Sequence, residues 1–340
     1  MKKSVCFGEI MLRLNPAGYQ RFTQAAQLEA SYAGGEANVA VSLAQFGVES
    51  AYITKVPAHE IGQCAVNELR RFGVDTSGVL RGGDRLGIYF LEKGASQRAS
   101  KVIYDRAHSA ITQCSPGEFD WNALLQKADW FHFTGITPAL SDNAAAVTLE
   151  ALQAAKTLGI KVSCDLNYRK KLWSREKAGR VMAGLMSFVD VCIANEEDAY
   201  DVFGLRAEGS DVGKGELSRD GYRSVAEQLT SRFGFQKVAI TLRGSISASD
   251  NNWSGMLYSG GAAVFAPQYS VRLVDRVGGG DAFGAGLIYA LMNGYDDQRA
   301  VNFAVAASCL KQTIEHDFNL VTVQEVEALA GGDASGRVQR

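Results

Sequence analysis

Several things are scarce in this chain, and each scarcity excludes a class of function. Histidine occurs four times in 340 residues, with no H-x-x-x-H pair and no Cys/His metal spacing, so zinc chemistry is not expected. The six cysteines, Cys6, Cys64, Cys114, Cys164, Cys192 and Cys309, include no C-x-x-C pair. Several lie inside apolar runs and read as reduced core thiols of a cytoplasmic protein. Charge of either sign is in no great excess, the formal net charge being −2. No basic cluster alternates with aromatics, which speaks against nucleic acid or an anionic membrane as partner. No apolar run approaches the roughly 18 residues of a membrane span, and Met1–Ile10 has too short an apolar run for a signal peptide. Three site motifs are missing as well: G-x-x-x-x-G-K-S/T, G-x-G-x-x-G after a strand, and G-x-S-x-G. Their absence disfavours a P-loop enzyme, a dinucleotide oxidoreductase and a serine hydrolase.

What the chain does have is three consecutive glycines directly before an aspartate, in Val274-Asp275-Arg276-Val277-Gly278-Gly279-Gly280-Asp281-Ala282-Phe283. Phe283, Leu287 and Leu291 then recur every fourth residue, with Ile288 beside them, so a helix with one apolar face opens at the glycines. A helix start carries unpaired N–H groups and the positive end of the dipole, and glycine lets a phosphate approach them. An aspartate there repels phosphate, yet it is well placed to take a proton from a hydroxyl that attacks the held phosphorus. The competing expectation is that Asp281 merely caps the helix.

The rest of the chain alternates strand and helix patterns. Strands are expected at Ser4–Ile10, Ala51–Val56, Trp130–Thr134, Ile160–Asp165, Val189–Ala194 and Lys237–Leu242. Helices are expected to begin at the paired glycines Gly34-Gly35 and to cover Asn143–Leu158, Arg175–Phe188, Arg223–Phe233 and Arg299–Ile314. Such an order predicts an α/β fold, a doubly wound and mostly parallel sheet flanked by helices, with ligands beyond the carboxyl ends of the strands. Polar groups gather at those ends: Asp165 to Arg169, Asn195 to Asp198, and Thr241 to Gly244. Asn38, in the helix after Gly35, can reach a ligand hydroxyl there or simply belong to an ordinary helix entry. Gly87–Glu92 and Lys101–Arg106 predict a hairpin, either a lid completed by Met11–Tyr32 or an antiparallel edge on the main sheet. Within Met11–Asn15 the side chains alternate in character. Arg206–Asp220 is expected as a surface loop.

The stretches Gly34-Gly35-Glu36-Ala37-Asn38 and Asp275 to Phe283 resemble the two signatures of the ribokinase-like (PfkB-type) carbohydrate kinases, in the same order and at a fitting separation. The resemblance implies one kinase domain over residues 1–330 with β-lid segments at about 11–32 and 86–108; residues 331–340 read by themselves as a frayed tail. It implies Asp281 as the base, and Gly278, Gly279, Gly280 and the Asp281 amide as the anion hole for the migrating phosphoryl group. ATP and Mg²⁺ are implied as cofactors, with room for a monovalent cation. Asn195 begins what resembles the family's N-x-x-E motif; here its carboxylate is Asp198 or the adjacent Glu197. Asn167, Thr241, Arg243 and Gly244 are the expected nucleotide contacts, although Arg243 and Ile246 stand where glycines would be expected.

Gly87–Glu92, Tyr104-Asp105-Arg106 and Asp165–Arg169 resemble the subgroup that phosphorylates 2-keto-3-deoxygluconate. Arg106 and Arg169 can offer guanidinium forks to a substrate carboxylate, and Tyr89 and Tyr104 can cover the sugar. Both tyrosines are otherwise packed lid residues and both arginines surface ion-pair partners. Gly34, Gly35, Asn38 and Asp317 complete the expected sugar contacts, with His316 standing where glycine would be expected. The alternatives are a kinase of a neutral sugar, such as a fructokinase or ribokinase, or a sugar-acid-binding protein without catalysis. An exposed lid edge can also pair two copies into a homo-oligomer.

Overall fold

A computed structural model describes residues 2–195, 197–206 and 218–336. In chain order the strands are β1 (Lys3–Phe7), β2 (Met11–Asn15), β3 (Glu29–Ala33), β4 (Glu49–Ile53), β5 (Lys55–Val56), β6 (Leu80–Arg81), β7 (Gly87–Glu92) and β8 (Lys101–Asp105). They continue with β9 (Trp130–Thr134), β10 (Lys161–Asp165), β11 (Val191–Ala194), β12 (Lys237–Ser245), β13 (Asp250–Ser259), β14 (Ala262–Phe265) and β15 (Tyr269–Arg272). The main sheet runs β14-β13-β12-β11-β10-β9-β1-β4, with β15 also on β13. From β4 to β12 every pairing is parallel, and β13 to β15 are antiparallel additions.

Both faces of the sheet are covered, and the pleat divides the core accordingly. Cys6, Ile193 and Ala239 pack with the helices Gly35–Gln45, Gly279–Met292 and Asp297–Lys311. Their strand neighbours Phe7, Cys192, Ala194, Val238 and Ile240 pack with the helices Asp142–Thr157, Arg175–Met186 and Arg219–Phe233. That alternation is what a sheet buried on two sides requires. After β1 the chain goes to β4 on one side, and then to β9 on the other. The resulting switch point is where open α/β sheets leave a crevice.

The hairpin belongs to a second sheet and is no edge of the first. Its order is β3-β2-β7-β8, with β2 and β7 parallel and the other pairs antiparallel. Met11, Ala33, Tyr89 and Leu91 form a small core there, and Val277 of the glycine loop packs against it.

Other departures have simple causes. The strand expected over Lys237–Leu242 runs on to Ser245, because β12 stays paired with β13 as far as Ser245↔Asn251. β13 to β15 and the helix Val323–Ala330 were not anticipated. The helix expected over Arg299–Ile314 runs Asp297–Lys311, started by the Asp296 side chain accepting from the Arg299 amide. Within the loop expected over Arg206–Asp220, residues 207–217 lie outside the described residues, and Arg219 and Asp220 already belong to a helix. Of the expected tail, residues 337–340 likewise lie outside them.

Candidate active site

Helix entries differ across the molecule. Ser141, Ser174, Ser218, Asp296 and Thr322 each cap a helix through a side-chain oxygen. The helices Gly35–Gln45 and Gly279–Met292 start at Gly34 and Gly278 with no side-chain cap, so their first amides stay open to a ligand. Gly278 has φ +82°, and a Cβ there would come within 2.1 Å of the Asp317 carbonyl oxygen; only glycine makes this turn. The Gly279 amide reaches the Arg276 carbonyl at 3.3 Å and the Ala282 amide the Gly278 carbonyl at 2.9 Å. The amides of Gly280 and Asp281 between them bond nothing among the described residues. Space in front of Gly280 is open: a methyl group on its Cα would meet no atom within 4 Å. Two adjacent free amides on a helix end make an anion nest.

Asp281 is no helix cap. Its Oδ2 accepts a hydrogen bond from Asn38 Nδ2 at 2.6 Å, while Asn38 Oδ1 accepts from the Gly34 amide at 3.4 Å. Gly35 faces the same space: a Cβ there would stand 3.6 Å from Asp281 Oδ1 and 4.0 Å from Asn167 Nδ2. Gly34 lies against the Glu9 carbonyl, where a Cβ would collide at 1.9 Å. Burial pushes the Asp281 carboxyl up to about 7; the Asn38 bond opposes this, and the charges of Asp317 and Glu36 add to it. A half-buried carboxylate that ionises near neutral pH, next to an anion nest, suits a general base.

Behind Asp281, at the ends of β10 and β11, two more carboxylates face the cleft. Asp165 Oδ1 accepts from the Asn167 amide at 3.1 Å. Asn167 itself takes a left-handed φ of +39°, which asparagine tolerates. Asp198 accepts from the Tyr168 amide at 3.0 Å and the Asn195 amide at 3.2 Å. In return Asn195 Oδ1 accepts from the Glu197 and Asp198 amides at 2.8 and 3.0 Å. Burial, then the charges of Asp198 and Asp281, raise Asp165 well above the carboxylate range. Burial also raises Asp198, against the pull of Arg169. Glu197 is exposed and lines a different cavity, so of the two candidates Asp198 is the one that shares the cleft with Asp165 and Asp281. Among the described residues no three His, Cys, Asp or Glu side chains form a metal cage. Two like-charged buried carboxylates beside a phosphate nest do fit Mg²⁺, which keeps several waters and is shared with substrate phosphates.

This inner cleft, about 250 Å³, is also lined by Asn167, Asn195, Thr241, Arg243, Arg276 and Gln312. Gly244 does not reach it; it is held in the ladder opposite Asn252. Burial and the charge of Arg243 both lower the Arg276 pKa, so two cations crowd the nest as they would around an anion.

A larger cavity, about 1560 Å³, lies between β8 of the lid and the segment from Tyr168 to Arg175. Arg169 lines both spaces and makes no ion pair among the described residues; its Nη1 donates to the Tyr168 carbonyl at 3.0 Å. Arg106 and Tyr104 line the outer cavity, with the guanidinium 5.3 Å from the Tyr104 ring centre. Arg106 differs from expectation: its Nε and Nη2 both grip the buried Glu9 carboxylate, so its charge is already matched. Tyr89 and Asp317 bond each other. The Tyr89 hydroxyl donates to Asp317 at 2.8 Å, and Asp317 in turn receives Arg13 Nη1 at 2.5 Å. The site thus brings together Gly35, Asn38, Asn167, Asp281, Asp198, Arg169 and the nest; Gly244 and Glu197 do not line the inner cleft, and Tyr89 and Asp317 bond each other beside it. Glu9, Arg13 and Arg276 were not among the expected site residues, although Glu9 stands in the first strand pattern and Arg276 inside the glycine motif; Asp165 was expected only as one of the polar groups at a strand end.

Known proteins are similar to this chain along most of its length. The model of the pfkB family of carbohydrate kinases matches residues 1–315. A 2-dehydro-3-deoxygalactonokinase of Haloferax volcanii is 35% identical over 97% of this chain and 97% of its own length. A 2-dehydro-3-deoxygluconokinase of Thermoproteus tenax is 29% identical over 92% of this chain and 89% of its own. The crystal structure of 2-dehydro-3-deoxygluconokinase from Thermotoga maritima superposes with a TM-score of 0.95 at 48% identity, covering 98% of this chain and all of that one.

Proposed function

The chain belongs to the pfkB family of carbohydrate kinases, and from that premise we propose that it transfers the γ-phosphoryl group of ATP to the 6-hydroxyl of 2-keto-3-deoxygluconate. Asp281 takes the hydroxyl proton as the sugar oxygen bonds to phosphorus. The bond from phosphorus to the bridging oxygen of ADP breaks in line, and the proton passes from Asp281 to solvent. Charge gathering on the phosphoryl oxygens faces the Gly280 and Asp281 amides, with Arg243 and Arg276 alongside. Asp198 and Asp165, with Asn195 ordering the loop, would hold the Mg²⁺ that neutralises ATP phosphate charge. Thr241 and Asn167 face the same space and would contact the nucleotide.

The observation that carries this proposal is that a carboxyl group ionising near neutral pH and two free amides line one cleft. For the substrate, the support is Arg169: a guanidinium that lines both cavities and is held in no ion pair among the described residues suits a sugar carrying a carboxylate. The names of the Haloferax, Thermoproteus and Thermotoga proteins agree with a 2-keto-3-deoxy acid, and the Haloferax protein's name makes the galactonate epimer the second candidate. Arg106, already bound to Glu9, would steady the lid beside Tyr104 and supply hydrogen bonds, leaving the carboxylate to Arg169.

Coupled ADP-release assays over 2-keto-3-deoxygluconate, its galactonate epimer, fructose and ribose test this. The acids should turn over with kcat/KM at least about 100-fold above the neutral sugars. Arg169→Ala should remove most of that preference, by roughly 10- to 100-fold on the acids alone. Equal losses on acid and neutral substrates would overturn carboxylate recognition by Arg169.

A further inference from the structure

Arg13 and Lys311 are both wholly buried, and they hold one loop from two sides. Arg13, on β2 of the lid sheet, sends Nη2 to the Asp275 carboxylate at 2.6 Å and Nη1 to Asp317 at 2.5 Å. Lys311, the last residue of the helix Asp297–Lys311, donates from Nζ to the carbonyls of Asp275 at 3.1 Å and His316 at 2.5 Å. His316 has φ +62°, unfavourable for a side chain with a Cβ, and the Lys311 ammonium holds its carbonyl in that turn. Two cations and two carboxylates leave this cluster formally neutral. Burial lowers the Lys311 pKa, while the charges of Asp275 and Asp317 act the other way.

The cluster lies directly behind the anion nest. The Asp275 carboxylate also accepts from the Val277 amide at 3.1 Å, one residue before Gly278. The Asp317 carbonyl is the atom against which Gly278 closes. Whatever fixes these oxygens therefore fixes where the Gly280 and Asp281 amides point. A unit-charged inorganic ion seeks a group of carbonyl and carboxylate oxygens such as this one. Here a lysine ammonium, a compact point charge with three donors, already occupies it. The monovalent cation that the family resemblance leaves room for does not fit at this place.

We propose that Lys311 is a positioning residue whose ammonium supplies from within the chain the monovalent charge that sets the glycine nest, so that phosphoryl transfer needs no added K⁺ or Na⁺. The inference rests on the kinase assignment, and on no particular sugar.

The test is steady-state ADP release by the full chain, with whichever carbohydrate turns over, in potassium, ammonium and tetramethylammonium chloride at one ionic strength. A wrong sugar assignment changes the substrate used and leaves the salt comparison intact. Wild type should show the same kcat in all three salts. Lys311→Ala should lose roughly 10- to 100-fold in kcat through misplacement of the nest, with the sugar KM changed less. Potassium or ammonium should restore most of that loss, and tetramethylammonium, too large for the vacated space, should not. Lys311→Met fills the space with apolar bulk and should stay slow in every salt. A wild type several-fold faster in potassium would overturn the proposal. So would a folded Lys311→Ala that keeps full kcat, or one that no small cation restores. If both variants fail to fold, the wild-type salt series decides alone.

Discussion

Asp281, the proposed base, is held near the point of ionisation at neutral pH. Burial and neighbouring carboxylates raise it to about 7, and one hydrogen bond from Asn38 pulls the other way. Removing that bond disfavours the carboxylate, so Asn38→Ala should move the acidic limb of the kcat/KM profile to higher pH. The loss should be about three- to tenfold at pH 6.5 and smaller at pH 8.5; a limb that stays in place would show that Asn38 serves the sugar instead. Arg106 makes a different prediction. Arg106→Ala leaves Glu9, only 3% exposed, without its cation, which costs about 3–5 kcal/mol. A clear fall in the unfolding midpoint should accompany it, whereas Arg169→Ala should leave the midpoint nearly unchanged. The sequence offered both arginines as equals, since a guanidinium looks the same in a string whether or not a glutamate 97 positions away has claimed it.

At the scale of elements, the proposed phosphoryl site sits where the helix Gly279–Met292 starts without a side-chain cap. Each of the three glycines before Asp281 faces something different, and their substitutions should separate accordingly. Gly278→Ala forces a methyl group into the Asp317 carbonyl at a left-handed φ and should lose folding stability and turnover together. Gly280→Ala meets nothing in the free protein; its unfolding midpoint should hold, alanine being favoured over glycine in a helix by up to about 1 kcal/mol. Its KM for ATP should still rise, because the methyl group points into the space a phosphoryl group would use. Equal KM values would place the phosphoryl group elsewhere. Element boundaries show what a sequence encodes locally. Trp130–Thr134 and Gly87–Glu92 stand where their patterns put them, being short, β-rich and clearly bounded. In β2 the alternation misleads. Met11, Arg13 and Asn15 are the buried positions and Leu12 and Leu14 only half-buried, because the lid turns its polar side to Asp275 and Asp317. A partner 262 residues away decides that orientation, and no local period records it.

On the scale of the whole molecule, the doubly wound sheet was legible because strand and helix periods alternate along most of its length. The antiparallel strands β13 to β15 and the separate lid sheet depend on pairings that only the folded chain reveals. The fold converges three carboxylates, Asp165, Asp198 and Asp281, whose folded pKa values all lie above the usual range. A raised folded pKa means that the native state binds more protons than the unfolded one. The contribution of these groups to stability is therefore full at low pH and lost as pH rises through the folded values. Mg²⁺ favours the ionised carboxylates, so adding it with nucleotide should raise the unfolding free energy more at pH 8 than at pH 6, by roughly 1–3 kcal/mol at saturation. Equal shifts at both pH values would remove these carboxylates from the metal site.

The most direct measurement is the turnover of Asp281→Asn with 2-keto-3-deoxygluconate and MgATP, beside calorimetric binding of both ligands. Loss of the base should lower kcat by about 10²–10⁴ while binding persists. A variant that binds both ligands and turns over near the wild-type rate would contradict the assignment of Asp281 as the base.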